Sequence, residues 1–574
     1  MKRSKYAGSL RAKDVGNTVV LAGWTHKRRA VGSGLIFLIL RDSSGIAQIT
    51  VDEALVSEES FAAAKEARGE YVIIARGEVK LRSPENINSE MPTGEIEVIA
   101  REIKILSEAI TPPFSPLDKD VANDLRMKYR YIDLRREEAA QILRLRSKIG
   151  IEIRRYLDEN GFIETETPTL TRSTPEGARD YIIPSRTNKG SFYALPQSPQ
   201  LFKQLLMLAS IDKYYQFAKC YRDEDLRADR QPEFTQIDIE MAFSDEEDVF
   251  ALTEGLIARA FLAAGKPAPE TPFARLTYTE AMKRFGSDKP DMRFGLEIRD
   301  VSEAVRGAGF EPFDNASFVY AINAPIILTR KQTDALSAIA KEMNGVLGVV
   351  NIKDGQIKSP LLKFLGEERL ANAAKAPLEA LSETTVLLCA GSKALEILGV
   401  LRLSVAKICS LVNENVFAPV WVTEMPLLEY SEEDKRYYAA HHPFTQPLDF
   451  DLDLIEKEPG LVRARAYDLV INGFEAGGGS VRINDIKTQI LMLKNLGFSE
   501  ESAKASFGFF LEALQYGAPP HCGIALGFDR LVMILSAAES LREVIAFPKA
   551  KDGSCPLTGA PYPVEEAQLK EVGL

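Results

Sequence analysis

Apolar positions in the first hundred residues come in short runs. Val19-Val20-Leu21-Ala22-Gly23-Trp24 reads as a strand, Leu35 to Leu40 as a second and Ile46 to Val51 as a third, with Gly45 marking a turn. Short strands with glycine turns over such a length predict a small β-barrel. The pattern then breaks at Ile110 to Pro116, where three prolines in five positions lock φ and remove amide donors, the signature of a linker. Beyond it the period lengthens. Ile142, Leu145, Ile149, Ile153 and Leu157 keep helical spacing over Glu137 to Asn160, and Gly161 stops the helix. Phe162 to Pro168 is extended.

Further along, period two returns. Tyr214 to Tyr221 and Phe234 to Phe243 read as an antiparallel hairpin around a long charged loop, Arg222 to Pro232. Its second strand puts Phe234, Gln236, Asp238 and Glu240 on one face and Thr235, Ile237 and Ile239 on the other. The isoleucine face is core; an aromatic plate with an amide and two acids has the composition of a pocket floor. Between the two strand regions, Ser198 and Pro199 read as N-cap and first residue of a helix, with Gln200 and Lys203 sharing a face in its first turn. Residues 288–415 alternate short strands and helices without any cluster of chemical residues, and they read as an inserted domain because the chemistry resumes after them. The predicted organisation is a barrel domain over 1–107, a hinge over 108–132, a main domain in two parts (133–287 and 416–574) and the insertion between them. No apolar run approaches the roughly 18 residues of a membrane span.

Composition changes this picture in one respect. The 574 residues carry a net charge of −11, which by itself argues against a nucleic-acid partner. Residues 1–41, however, hold nine bases against one acid, whereas residues 42–110 hold seven against fourteen. Lys27, Arg28 and Arg29 follow the first strand, and Trp24 and Phe37 lie on adjacent strands. Aromatics on which bases stack, beside cations that track phosphate, suit single-stranded RNA, and the OB-fold is the natural barrel for such a face. Five scattered cysteines form no CxxC pair, so neither a disulfide framework nor a zinc site is indicated, and a reducing, cytoplasmic setting fits best.

Neither a Walker loop nor a GxGxxG cradle occurs, so nucleotide chemistry has to come from elsewhere. Lys203 is an odd choice near the positive end of a helix dipole unless an anion sits there. Tyr467 to Glu475 contains an Asn472-Gly473 turn between strands, the strongest short hairpin signal. A two-residue turn there sets Val470 opposite Glu475 and Asp468 opposite Gly477, so that Asp468 and Glu475 are diagonal neighbours. Two such carboxylates repel unless a cation joins them, and Mg²⁺ held together with phosphates is the usual answer. Gly477-Gly478-Gly479 then allows close backbone approach by a ligand, ahead of Arg482. Gly523 to Leu535 reads strand, glycine break, helix, and places Arg530 at the helix start, where it can clamp a phosphate. His441-His442 lacks further ligands at metal spacing.

Together these segments resemble the class II aminoacyl-tRNA synthetases over nearly the whole chain. Motif 1 is similar to the helix ending at Gly161 with the strand to Pro168, motif 2 to Tyr221-Arg222-Asp223-Glu224 through Phe234 to Glu240, and motif 3 to Gly527-Phe528-Asp529-Arg530. The bacterial aspartyl branch, which carries a large insertion between motifs 2 and 3, is the nearest. Thr174 to Asp180, Gln197 to Gln200, Arg222 to Gln231 and Gly477 to Arg482 are its markers. The resemblance implies an α+β multidomain chain: an N-terminal OB-fold, an antiparallel sheet flanked by helices, and an inserted α+β domain. It implies activation of L-aspartate by ATP with Mg²⁺, then transfer to tRNA. By resemblance, Arg222 and Arg530 are catalytic; Glu176, Gln200, Lys203, Arg222, Asp238, His441 and Arg482 bind aspartate; Asp468 and Glu475 hold Mg²⁺. ATP would meet Arg222, Asp223, Glu224, Gln231, Phe234, Glu475, Gly527, Phe528, Asp529 and Arg530, and tRNA would meet Trp24, Lys27, Arg28, Arg29 and Phe37. It further implies a homodimer through motif 1. A non-discriminating form that also aspartylates tRNA(Asn) is an open alternative. A silent RNA-binding relative is the other; it would have lost Arg222, Arg530, Glu475 or Lys203, and all are present.

Overall fold

The computed structural model describes residues 1–174, 177–224, 229–375 and 383–574. Two compact units divide it: Met1–Arg144 with Ile545–Tyr562, and Leu145–Val544 with Pro563–Leu574.

In the first unit, strands Thr18–Val31, Leu35–Asp42, Gly45–Asp52, Val72–Leu81 and Ile96–Ser107 close a five-stranded barrel, the OB architecture that alternation predicts. Inward positions such as Leu21, Leu38, Ile49 and Val98 are fully buried. A helix, Glu58–Glu66, packs beneath them, its first turn capped by Ser57, whose hydroxyl accepts from the Ser60 amide. The first strand runs seven residues beyond Trp24, further than its apolar run suggests, because the pairing Arg29↔Phe37 continues through the basic triplet. A bulge between Thr25 and Lys27 breaks the alternation there and leaves Lys27, Arg28 and Arg29 all exposed. Of the expected hinge, 108–132, residues 108–122 contain neither helix nor strand, and the rest holds the short helices Asn123–Lys128 and Arg130–Asp133.

The long amphipathic helix is Glu137–Glu159, with Ile149, Ile153 and Leu157 fully buried. Gly161 closes it at φ 78°, and the Phe162 amide returns to the Leu157 carbonyl at 3.0 Å. The second unit is centred on an eight-stranded sheet. Its strand order is Ala274–Thr277, Pro419–Thr423, Ala466–Ile471, Phe474–Val481, His521–Gly527, Glu233–Ala242, Lys213–Tyr221, Ile163–Glu164. The outer pair at each end is parallel and the interior pairs are antiparallel. A second sheet of five strands spans Arg299–Asp300 to Glu383–Ala390. Both its faces are covered: Val386 and Leu388 point into one apolar cluster, Leu387 and Cys389 into another. No helix among the described residues is long and apolar enough to cross a membrane.

Candidate active site

The hairpin Lys213–Tyr221/Glu233–Ala242 forms the floor. Ile237 and Ile239 go into the core as period two requires, and the opposite face presents Phe234, Gln236, Asp238 and Glu240. Two cavities lie above it. Arg222, Phe234, Gln231, Gly527 and Arg530 line the first; Gln200, Lys203, Asp238, His441 and Arg482 line the second; Arg222, Gln236 and Glu475 line both. The two therefore adjoin at Arg222.

The second cavity is governed by buried charge. Lys203 Nζ donates to Asp238 Oδ1 at 2.8 Å and lies 3.4 Å from Glu240. Arg482 Nε and Nη2 clamp the two oxygens of Glu240 at 2.9 and 3.0 Å, and Nη1 donates to Ser480 Oγ at 2.7 Å. Burial alone would raise the Glu240 carboxyl, but Arg482 and then Lys203 outweigh it and hold it at about 2. Asp238 moves the other way, because burial outweighs its single lysine. Burial, reinforced by Arg482, pushes His442 well below the ordinary imidazole value, and the neutral ring accepts from Arg482 Nη1 through Nε2 at 2.5 Å. Among the described residues two polar atoms of this cavity wall are buried without a hydrogen-bond partner, Asp238 Oδ2 and Gln200 Nε2.

Lys203 reaches this pocket from a helix that starts one residue later than expected, at Gln200; Pro199 occupies the cap position, and no side chain, Ser198 included, caps it. The anion that Lys203 meets in the protein itself is Asp238. Its charge is therefore shared between the pocket wall and any ligand.

The first cavity holds Arg222, whose guanidinium lies 5.1 Å from the Phe234 ring centroid. Glu224 pairs with Arg230 at 2.8 Å, and Gln231 is buried beside them. Asp223 opens instead onto a neighbouring recess with Arg179 and His441, where its amide donates to the Arg179 carbonyl at 3.0 Å. Arg530 sits in the first turn of the helix Phe528–Ser536; its Nη1 donates to the Glu475 carbonyl at 2.6 Å, and its Nε is buried without a partner. Asp529 lines the cavity and is anchored from behind. Its carboxylate accepts from the Thr235 amide at 2.7 Å and pairs with Arg146 of the long helix at 2.5 Å, tying the helix start to the pocket floor. The Phe528 ring does not line the cavity; it lies edge-on to Phe217 at 5.1 Å under Arg146.

Asp468 and Glu475 do converge, by a different register from the one a simple two-residue turn implies. Val470 faces Glu475, but a bulge follows and Asp468 faces Gly478 rather than Gly477. A Cβ on Gly478 would stand 2.5 Å from the Asp468 carboxylate and 3.9 Å from Glu475. Cβ atoms on Gly477 and Gly479 would strike Leu526 and the Gly523 carbonyl, so those two glycines serve close strand packing, and only Gly478 makes room at the site. Burial and the neighbouring Glu475 raise Asp468 well above the carboxylate range; Lys289 and Arg530 hold Glu475 below it against burial. Among the described residues no three or more His, Cys, Asp or Glu side chains cluster for a metal.

Glu176 falls outside the described residues. In the barrel, Phe37 lies under Arg29 at 5.2 Å, whereas one face of Trp24 is already occupied by Arg135, 5.2 Å from the ring. Four roles escaped sequence reasoning. Glu240 and Ser480 anchor Arg482, His442 accepts from it, and Lys289 faces Glu475 at 3.0 Å. Period two had already placed Glu240 on the pocket face; the others carry no local signal.

Residues 122–551 match the family described as tRNA synthetases class II (D, K and N), and residues 19–106 match the OB-fold nucleic acid binding domain. The chain belongs to the class II tRNA synthetases. The aspartate--tRNA(Asp/Asn) ligase of Caldanaerobacter subterraneus subsp. tengcongensis is 51% identical over 100% of this chain and 98% of its own. The aspartate--tRNA ligase of Geobacillus kaustophilus is 52% identical over 100% and 99%. The fold is shared with asparaginyl-tRNA synthetase from Pyrococcus horikoshii complexed with asparaginyl-adenylate, at TM-score 0.61 and 19% identity over 96% of this synthetase and 98% of the other.

Proposed function

We propose that this synthetase joins ATP and L-aspartate into aspartyl-adenylate and transfers the aspartyl group to the 3′ end of tRNA(Asp). The observation that carries this reading is the presence of two buried cations, Lys203 and Arg482, with Asp238 and Gln200 in the wall of a cavity that adjoins the Arg222–Phe234–Arg530 pocket. Lys203 and Arg482 take the side-chain carboxylate. Asp238 takes the α-ammonium, with Gln200 beside it. Arg222, at the junction, faces both the α-carboxylate and the α-phosphate. The α-carboxylate is ionised at neutral pH, so its attack on the α-phosphorus needs no general base. A P–O bond forms to the carboxylate and the bond to pyrophosphate breaks; the enzyme contributes alignment and charge. Phe234 stacks the adenine, and Arg530 faces the γ-phosphate. In the second step a terminal ribose hydroxyl of tRNA attacks the acyl carbon and AMP leaves. Asparagine would leave the cations incompletely paired, so selection by charge is strong.

Asp468 and Glu475 suit Mg²⁺: two crowded carboxylates at the edge of the nucleotide pocket match an ion that otherwise takes phosphate and water ligands. When bound, the ion would neutralise the polyphosphate. The exposed bases of the barrel support tRNA docking, five free thiols accord with a reducing cytoplasm, and exposed apolar residues along the motif 1 region, Ile151 and Ile163, support a homodimer. Aspartate-dependent exchange of pyrophosphate into ATP tests the activity, and its absence in folded protein would overturn it. Relatives named for both tRNA(Asp) and tRNA(Asn) favour a second reading, a non-discriminating enzyme. Charging of the two purified tRNAs side by side decides between them.

A further inference from the structure

Asp468 and Glu475 share their cavity with a residue to which the functional reading assigns no part. Lys289 Nζ lies 3.0 Å from Glu475 Oε2 and 3.6 Å from Asp288, and it lines the same cavity as Asp468. The loop that carries it is held firmly. The Lys289 amide donates to Ser287 Oγ at 3.0 Å, and Pro290 follows. Asp291 packs against Gly473, the turn of the hairpin that bears both carboxylates; a Cβ on Gly473 would stand 3.4 Å from the Asp291 Cβ. Behind the loop, Arg402 is fully buried and donates to the carbonyls of Asp291 and Phe294, each at 2.8 Å. The Lys289 side chain itself is 39% exposed, so it is free to swing away while its backbone stays fixed.

We propose that Lys289 is a built-in counter-ion for the Asp468–Glu475 pair, displaced when a divalent cation binds and then free to meet the polyphosphate of ATP. The proposal rests on the reading of that pair as the metal-holding carboxylates. Two adjacent carboxylates, one of them buried, would repel without a cation, and a lysine satisfies them reversibly: its ammonium is a point charge on a flexible stem, without the two-pronged grip of an arginine. With Lys289 in place its single positive charge is outnumbered by the carboxyl groups of Asp288, Asp468 and Glu475, which draws a divalent ion in. Once the ion is seated, the ammonium is left beside the nucleotide pocket.

The test uses the full-length protein, the variants K289M and K289R, and Mn²⁺ without nucleotide, followed by electron paramagnetic resonance. Removing a competing unit charge a few ångströms from a divalent ion, discounted for exposure, should tighten Mn²⁺ binding about tenfold in K289M. K289R should bind no more tightly than wild type. The thermal midpoint of K289M should fall without metal and recover on saturation with Mn²⁺. Unaltered or weaker Mn²⁺ affinity in K289M would overturn the counter-ion role. The double variant D468N/E475Q separates that failure from failure of the metal reading: it should abolish nucleotide-free Mn²⁺ binding, and unchanged binding there would remove the basis of both.

Discussion

Replacing Lys203 with methionine tests the reading of the aspartate pocket most directly. Methionine keeps much of the volume and removes the ammonium that lies 2.8 Å from Asp238 and 3.4 Å from Glu240. Glu240 retains Arg482, but Asp238 loses its one bonded cation inside a fully buried site. Breaking such a pair costs about 3–5 kcal/mol unless the orphan neutralises itself. Asp238 is poised to do so, because burial already pushes its carboxyl upward. One substitution therefore removes both the cation for the substrate side chain and the ionised acceptor for its ammonium. Each is a charge-assisted hydrogen bond worth about 1.5–3 kcal/mol, so kcat/KM for aspartate should fall by roughly 10² to 10⁴. Pyrophosphate exchange at varied aspartate reads that loss directly. ATP affinity by calorimetry should stay within about twofold, since Phe234 and Arg530 make no contact with Lys203. The double variant K203M/D238N should resist urea better than K203M, because no unpaired charge is left. If folded K203M kept aspartate kcat/KM within about tenfold of wild type, the pocket assignment would be wrong.

Three other outcomes follow from the same geometry. Glu240 is held at about 2 by Arg482 and Lys203, below its unfolded value, so the native state binds fewer protons; its stabilisation is present above roughly pH 4.5 and disappears as pH falls toward 2. Urea midpoints across that range should drop less steeply in E240Q than in wild type, and parallel curves would contradict the account. In G478A the new Cβ would stand 2.5 Å from the Asp468 carboxylate, so KM for ATP should rise several-fold while the protein stays folded; an unchanged KM would dissociate Asp468 from nucleotide binding. Neutralising Lys27, Arg28 and Arg29 together should raise KM for tRNA, with a shallower salt dependence, and leave aspartate activation intact; equal loss in both assays would place those residues elsewhere in the mechanism.

Much of this was open to reading from the chain itself, because periodicity is a local property. Alternation in Glu233–Ala242 sorted core from pocket floor, the 3.6-residue spacing before Gly161 defined the long helix, and the charge split at residue 41 marked the basic strand. Those features depend on neighbours a few residues away, which backbone geometry alone dictates. Arg482 and Glu240 are 242 positions apart, and they meet only because His521–Gly527 pairs on one side with Phe474–Val481, which Arg482 follows, and on the other with Glu233–Ala242. The same holds for the bulge that sets Asp468 against Gly478, for Asp529 turning to Arg146, and for Lys289 above Glu475. At Arg482–Glu240 and Arg146–Asp529 a carboxylate buried by the tertiary fold had to find an opposite charge, since leaving it alone in a low-dielectric interior costs more than any local preference supplies. The sequence by itself determined which residues could carry the chemistry; the tertiary structure decided which of them neutralise one another and which are left open to substrate.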